Sequence, residues 1–199
     1  MEEGAEVVAR ARLICGEQHV LTAPTVLSTY RSDGLRRSGP LPLAAILPGS
    51  AAEVAGVVSA CAATGTRFVV RGAGTSHSGG ALPTADGVLI VLTRMRRIVA
   101  LDEGGDEITV EPGAPPAALA RAAPARWFAD ADPIGTVGGH IAETPGIGNV
   151  CGLELVQSDG TSVRLDARDP GYGITGAFPG SRGRAGIAVA ITLRTVSRR

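Results

Sequence analysis

The sequence predicts an α+β chain of two packed lobes, a small βαβ lobe followed by a larger mixed lobe with antiparallel sheet. Three observations lead there. Residues 42–92 alternate buried apolar runs with one helical pattern, in the order strand, helix, strand, strand, which favours a parallel unit. From residue 97 the texture changes to short runs of period-two or fully apolar character, joined by turn signals such as "SDGT". Three separate glycine clusters, one in the first lobe and two in the second, suggest a single long ligand lying between the lobes.

Element by element, "AEVVARARLICG" places apolar residues at helical spacing with a glycine stop, and so opens the chain with a short helix. "YRSDGLRRSGPLP" is a polar crossing segment marked by glycine and proline. "LAAILP" is a short buried strand. "SAAEVAGVVSACAATG" is a helix with Ser50 as N-cap, Glu53 three residues on to complete a capping box, and Gly65 as its stop. "RFVV" and "GVLIVL" are the next strands. In the second lobe "RIVALD", "EITVEPG", "GLELVQSDGTSVRL" and "GIAVAITLRTV" are strands, "PPAALARAA" is a short helix, and "GTVGGHIAE" is a turn running into another. The expected organisation is a helical lead-in over residues 1–38 and a functional domain over 39–199, with lobes of about 39–102 and 103–199.

The stretch "RGAGTSHSGGALP" after the second strand carries the chemistry. Glycine lacks a Cβ, tolerates positive φ and lets a ligand touch the main chain, so a cluster after a strand presents N–H groups to an anion. A Walker loop requires a lysine, and the chain has none. A Gly-x-Gly-x-x-Gly dinucleotide fingerprint starting at Gly72 and Gly74 would need glycine where His77 stands, and no acidic residue ends the next strand. A glycine-rich surface turn without a ligand remains open on this stretch alone. The second cluster pairs Gly138 and Gly139 at the start of a helix, where backbone donors favour negative charge. The third, "FPGSRGRAGIAV", leads into the last strand.

Composition narrows the function classes. Basic and acidic side chains balance at 19 each, so no whole-chain field recruits nucleic acid or an anionic membrane. Few aromatic residues leave no stacking platform for single strands. Without lysine, a lysine Schiff base is excluded. Cys15, Cys61 and Cys151 have neither zinc-like spacing nor a disulfide pattern, and no metal site is expected. With no signal-like start and no apolar stretch of bilayer length, the expected location is cytoplasmic.

The ordered set "LAAILPGSAAEVAGVVSAC", "RFVVRGAGTSHSGGALP", "VLIVLTRMRRI", "ITVEPGA", "DP" with "TVGGHIAE", "NVCGLELVQSDGT" and "GSRGRAGIAVAITLRT" resembles the PCMH-type FAD-binding domain of the vanillyl-alcohol oxidase and p-cresol methylhydroxylase superfamily. It looks most like the branch of the glycolate oxidase FAD subunit and D-lactate dehydrogenase, from about Tyr30 to about Val196. The resemblance implies that Arg71, Gly72, Ala73, Gly74, Thr75, Ser76, His77, Gly79 and Gly80 wrap the FAD pyrophosphate. It implies further that Asp132, Thr136, Val137, Gly138 and Gly139 line the cofactor, and that Gly186 and Ile187 bring strand backbone against it. Thr75 and Ser76 are expected to add hydroxyl donors. Relatives that attach FAD covalently do so through a histidine at the position of Thr75, so the cofactor expected here is non-covalent FAD.

The chain also departs from that pattern. It lacks a Tyr-Gly-containing stretch between Gly146 and Asn149, is short between Pro133 and Thr136, and has Arg182 where "GSEG" would carry glutamate. It stops at "TVSRR", where relatives begin a substrate-capping domain. His140 stands where asparagine is common and is the weak candidate for a catalytic group. Tyr30, Asp33 and Tyr172 read as ordinary surface or hinge positions. The expected function is oxidation of a small 2-hydroxy acid or alcohol by hydride transfer to FAD, with a partner chain supplying a cap or an electron-transfer function. Two other readings stay open: a degenerate domain with weak or no FAD binding that serves as an interaction module, and a binder of another phosphorylated ligand.

Overall fold

The computed structural model describes residues 2–123, 126–127, 134–145, 149–168 and 178–197. Helix α1 (Glu2–Cys15) buries Val7, Ala11 and Cys15, spaced four apart on one stripe, and Gly16 ends it at φ 88°. That stripe meets helix α3 (Ala51–Thr64), whose small residues permit close approach: a Cβ at Gly56 would lie 3.3 Å from Ile14. Ser50 caps α3 by accepting from the Glu53 N–H at 3.2 Å, and the Glu53 carboxylate reaches back to the Gly49 N–H at 2.8 Å. At the other end Gly65 is left-handed at φ 63°, and Thr66 N–H donates to Cys61 O at 2.9 Å.

Around α3 lie two sheets. The first has the order β1 (Val20–Leu21), β2 (Ala44–Ile46), β4 (Gly87–Val91), β3 (Arg67–Arg71). Strands β2 and β3 run parallel to the central β4, as a βαβ crossover demands. The two-residue β1 adds an antiparallel edge that the sequence pattern did not disclose. One face of this sheet packs on α1 and α3. Its other face buries Ala45, Leu89 and Val91 beneath Leu27 of the short helix α2 (Pro24–Leu27) and Tyr30.

The second sheet is antiparallel throughout, in the order β5 (Ile98–Leu101), β6 (Glu107–Val110), β10 (Ile187–Arg194), β8 (Val150–Val156), β9 (Ser162–Asp166). Val156, Ile187 and Val189 join the α1–α3 core, so both lobes share it. A register shift between Ala188 and Ala190 reverses the alternation, and Ile191 and Leu193 face the same way as Ala188. They meet Leu119 of helix α4 (Pro116–Ala122) and Val137 and Ile141 of helix α5 (Val137–Glu143). The "SDGT" hairpin forms as its residues require: Gly160 sits at φ 90°, and Asp159 accepts from the Thr161 N–H and hydroxyl. Its tip also leans on α3, where a Cβ at Gly160 would come within 2.8 Å of Ala55 O. A backbone pair of β7 (Arg126–Trp127) with β11 (Val196–Ser197) completes the strands among the described residues.

Helix α3 therefore carries both sheets, and its cap has a measurable weight. Replacing Ser50 by Ala should lower global stability by about 1 kcal/mol in chemical denaturation, with an unchanged denaturant slope.

Candidate functional site: a cleft over the glycine loop

Strand β3 ends in Val70 and Arg71 and releases the glycine loop at its carboxyl end, where parallel sheets bind ligands. Gly74 and Gly79 both take positive φ, at 77° and 81°. The N–H groups of Ala73, Gly74, Thr75, Ser76 and His77 have no acceptor among the described residues. Beneath Gly74 lies the Arg71 guanidinium, so close that a Cβ on Gly74 would collide with it. Arg71 is only 6 % exposed, has no ion-pair partner among the described residues, and donates to Ala81 O at 3.1 Å and Ser32 O at 2.8 Å. Burial draws its pKa down against the opposing pull of Tyr30 and Asp33, yet a guanidinium stays charged at any ordinary pH. Consecutive amides without an acceptor and a buried guanidinium without an ion-pair partner, each among the described residues, are chemically suited to an anion.

The loop is held from outside by residues 31–39, which Ser32 and Ser38 close with an antiparallel bridge. Gly34 N–H donates to Ser76 O at 2.9 Å, and a Cβ there would strike Thr75 O. Arg37 donates to His77 O at 2.5 Å. Asp33 organises this strap: its carboxylate accepts from the N–H groups of Leu35 and Arg37 at 3.0 Å each, and from Arg37 Nε at 2.8 Å. Burial alone would raise the Asp33 pKa, but the Arg37 guanidinium and the two N–H groups outweigh it and hold the carboxyl below the usual range. Asp33, which the sequence presents as an ordinary surface or hinge position, is thus the buried centre of the strap.

Across from the loop the second lobe supplies the facing wall of a cleft of about 300 Å³. The loop side takes in Gly72, Ala73, Gly74, Thr75, Ser76, His77 and Gly80, and the facing side takes in Thr136, Gly138, Gly139, His140 and Glu143. Phe178, Arg182, Gly183, Gly186, Ile187 and Ala188 also line it. Arg71, Gly79 and Val137 stand behind this lining, and Asp132, Tyr172 and the short segment before Asn149 fall outside the described residues. The start of α5 offers fewer donors than its sequence suggests. Val137 N–H goes to Ala114 O, Gly138 N–H to Pro112 O, and Gly139 N–H to Thr136 Oγ1 at 3.2 Å. Glycine is needed at 138 for packing, since a Cβ would sit 2.7 Å from Pro112. The far end of α5 is closed by the third glycine cluster, with Gly180 N–H on Ile141 O and Arg182 N–H on Ala142 O.

Two side chains in the cleft were not legible as site residues. Glu143 accepts hydrogen bonds from the Ser76 hydroxyl at 2.5 Å and the Ser78 hydroxyl at 2.6 Å on one oxygen, which commits Ser76 and leaves Thr75 as the loop hydroxyl without a partner among the described residues. Arg182, at φ 54°, lines the cleft without an ion-pair partner among the described residues. No metal-binding group occurs among the described residues, and no described helix is long and apolar enough to cross a membrane. The three cysteines are buried thiols; burial and Glu53 push Cys15 up to about 12, too high for a reactive thiolate.

The FAD binding domain family matches residues 42–166, which contain β2 through β9 and the whole glycine loop. The chain belongs to that family. As an FAD binding domain it is 32% identical over 183 residues to "Glycolate oxidase subunit GlcD" of Escherichia coli K12, covering 83% of this chain and 37% of that protein. It is 32% identical over 192 residues to "D-2-hydroxyglutarate dehydrogenase" of Xanthomonas citri pv. viticola, covering 87% of this chain and 41% of the relative. The chain thus spans about two fifths of the length of these curated relatives. Among solved structures its fold matches p-cresol methylhydroxylase with substrate bound (TM-score 0.82, 20% identity, 100% of this chain and 44% of that one). It also matches alkyldihydroxyacetonephosphate synthase (TM-score 0.84, 16% identity, 97% and 40%). FAD is the cofactor of this family, and the glycine loop fits it: a dianionic pyrophosphate matches free amides over a buried cation.

The strap gives this FAD binding domain an acid-sensitive element. Asp33 has a folded pKa below its unfolded value of about 3.9. Its contribution is therefore complete above that value and is lost as pH falls through the folded one. Asp33→Asn should lower stability at pH 7 and flatten the acid limb of a melting-temperature profile taken from pH 6 to pH 2.

Proposed function

We propose that this chain is the FAD-holding part of an oxidoreductase that takes a hydride from a small 2-hydroxy acid or alcohol, with FAD held non-covalently. The observation that carries the reading is the set of free amides from Ala73 to His77 above the buried Arg71, at the carboxyl ends of parallel strands. The substrate class is supported by relatives named for glycolate, D-2-hydroxyglutarate and D-lactate oxidation. Non-covalent attachment is supported by Thr75 at the position where a resembling loop would carry its linking histidine.

In this reading the loop amides and the Thr75 hydroxyl bind the pyrophosphate, and Arg71 complements its charge from below. Thr136, Gly138 and Gly139 form the wall facing the loop, with Val137 holding that wall from behind, while Gly186 and Ile187 add strand backbone to the lining. Asp132 is assigned to the cofactor by resemblance alone. When bound, FAD supplies the two-electron acceptor. His140, half-buried on α5 and lining the cleft, is the candidate for holding a substrate proton. Residues that cover the substrate would come from further chain or from a partner.

The test is the visible absorption spectrum of the purified protein after incubation with FAD and removal of free cofactor by gel filtration. Wild type should retain flavin bands that acid denaturation releases, and anaerobic addition of a 2-hydroxy acid with the covering partner present should bleach them. Gly74→Val should retain none, because its side chain meets Arg71 in a left-handed backbone. Equal flavin retention by wild type and Gly74→Val would remove the basis for placing the pyrophosphate here, and a wild type that cannot be reconstituted would favour the interaction-module reading.

A further inference from the structure

The cleft contains one carboxylate among its described lining residues, and that carboxylate bonds to the loop assigned to a dianion. Glu143 Oε1 accepts from Ser76 Oγ at 2.5 Å and Ser78 Oγ at 2.6 Å. A hydroxyl has one proton, so each serine spends its own on Glu143, and the 3.0 Å approach of the two serine oxygens is a contact between acceptors. The lone pairs of those oxygens are used as well. Ser78 N–H donates to Ser76 Oγ, and Gly80 N–H donates to Ser78 Oγ, each at 3.0 Å. A carboxylate on α5 in the second lobe thereby fixes two successive turns of a loop in the first lobe, sixty-odd residues away in sequence. Short hydroxyl bonds to an ionised acceptor are the strong kind.

We propose that Glu143 is a positioning residue: an interlobe clasp that holds residues 76–80 so that the amides of Ala73 to His77 face the pyrophosphate, without touching the cofactor. This rests on the FAD reading of the cleft. The arrangement is economical in donors, because Glu143 consumes hydroxyl protons and leaves the amides of Ala73 to His77 free. A carboxylate is also an unfavourable neighbour for a dianion. Loop shape and repulsion thus predict opposite effects of removing it, and the clasp requires that shape win.

Two measurements separate the outcomes, each on the whole chain. In the apo protein, hydrogen exchange at the Ser78 and Gly80 amides should speed up roughly tenfold or more in Glu143→Ala and stay near wild type in Glu143→Gln, whose amide oxygen still accepts both hydroxyls. In titrations with FAD, and with ADP as a flavin-free pyrophosphate probe, Glu143→Ala should bind roughly tenfold more weakly, while Glu143→Gln should match wild type or bind more tightly. In a Ser76→Ala/Ser78→Ala background the alanine at 143 should no longer weaken binding and, with only the charge repulsion left to relieve, should leave it equal or tighter, since its route through the serines is gone. Glu143→Ala binding FAD and ADP as well as or better than wild type would overturn the clasp and leave Glu143 as an unfavourable charge. Unchanged exchange in Glu143→Ala would overturn it too. Failure of wild type to bind either nucleotide would instead defeat the FAD reading, and the apo exchange result would still decide whether Glu143 holds the loop.

Discussion

The glycine loop can offer its amides only because everything that holds it is attached elsewhere. A loop normally stays in place by pairing its own N–H groups, and the stretch from Ala73 to His77 pairs none within the described structure. Its carbonyls do the work instead: Ser76 O takes Gly34 N–H, and His77 O takes the Arg37 guanidinium. Arg71 props it from below, and Glu143 grips its serine side chains from the opposite lobe. The loop is therefore held in shape by tethers that leave its donors unspent among the described residues.

That constraint explains features that look unrelated in the chain. The strap of residues 31–39 lies far from the loop in sequence and has no regular structure of its own, yet Asp33 organises it around Arg37, and Arg37 reaches the loop. Gly34 is required there because Thr75 O occupies the space a side chain would need. The turn at residues 111–114 plays the matching part in the second lobe. Gly113 N–H donates to Met95 O, while Pro112 O and Ala114 O receive the first N–H groups of α5. The wall opposite the loop is thus fastened through hydrogen bonds that also consume the donors of that helix start.

Much of this was legible in the letters. The capping residues Ser50 and Glu53, the stop at Gly65, the parallel unit and the "SDGT" hairpin all follow from local rules, and local rules are what a single sequence states clearly. The glycine loop was legible as a turn that keeps side chains away from the main chain for the same reason. Strand β1 was not, because two residues carry no period. Asp33 and Glu143 were not, because each acts through partners set by tertiary packing: Asp33 through a strap that closes on itself, and Glu143 across the cleft. The helix start at Thr136 misleads in the opposite direction, since its sequence advertises donors that the 112–114 turn has already taken.

If main-chain amides from Ala73 to His77 receive the cofactor's pyrophosphate, amide chemical shifts in a nitrogen-15-labelled sample titrated with FAD will report it. These five resonances should move together, downfield as new hydrogen bonds form, and their exchange with solvent should slow, while the Val137 and Gly138 amides, already bonded to Ala114 and Pro112, change little. Saturable FAD binding that leaves the Ala73–His77 amides unshifted would contradict it.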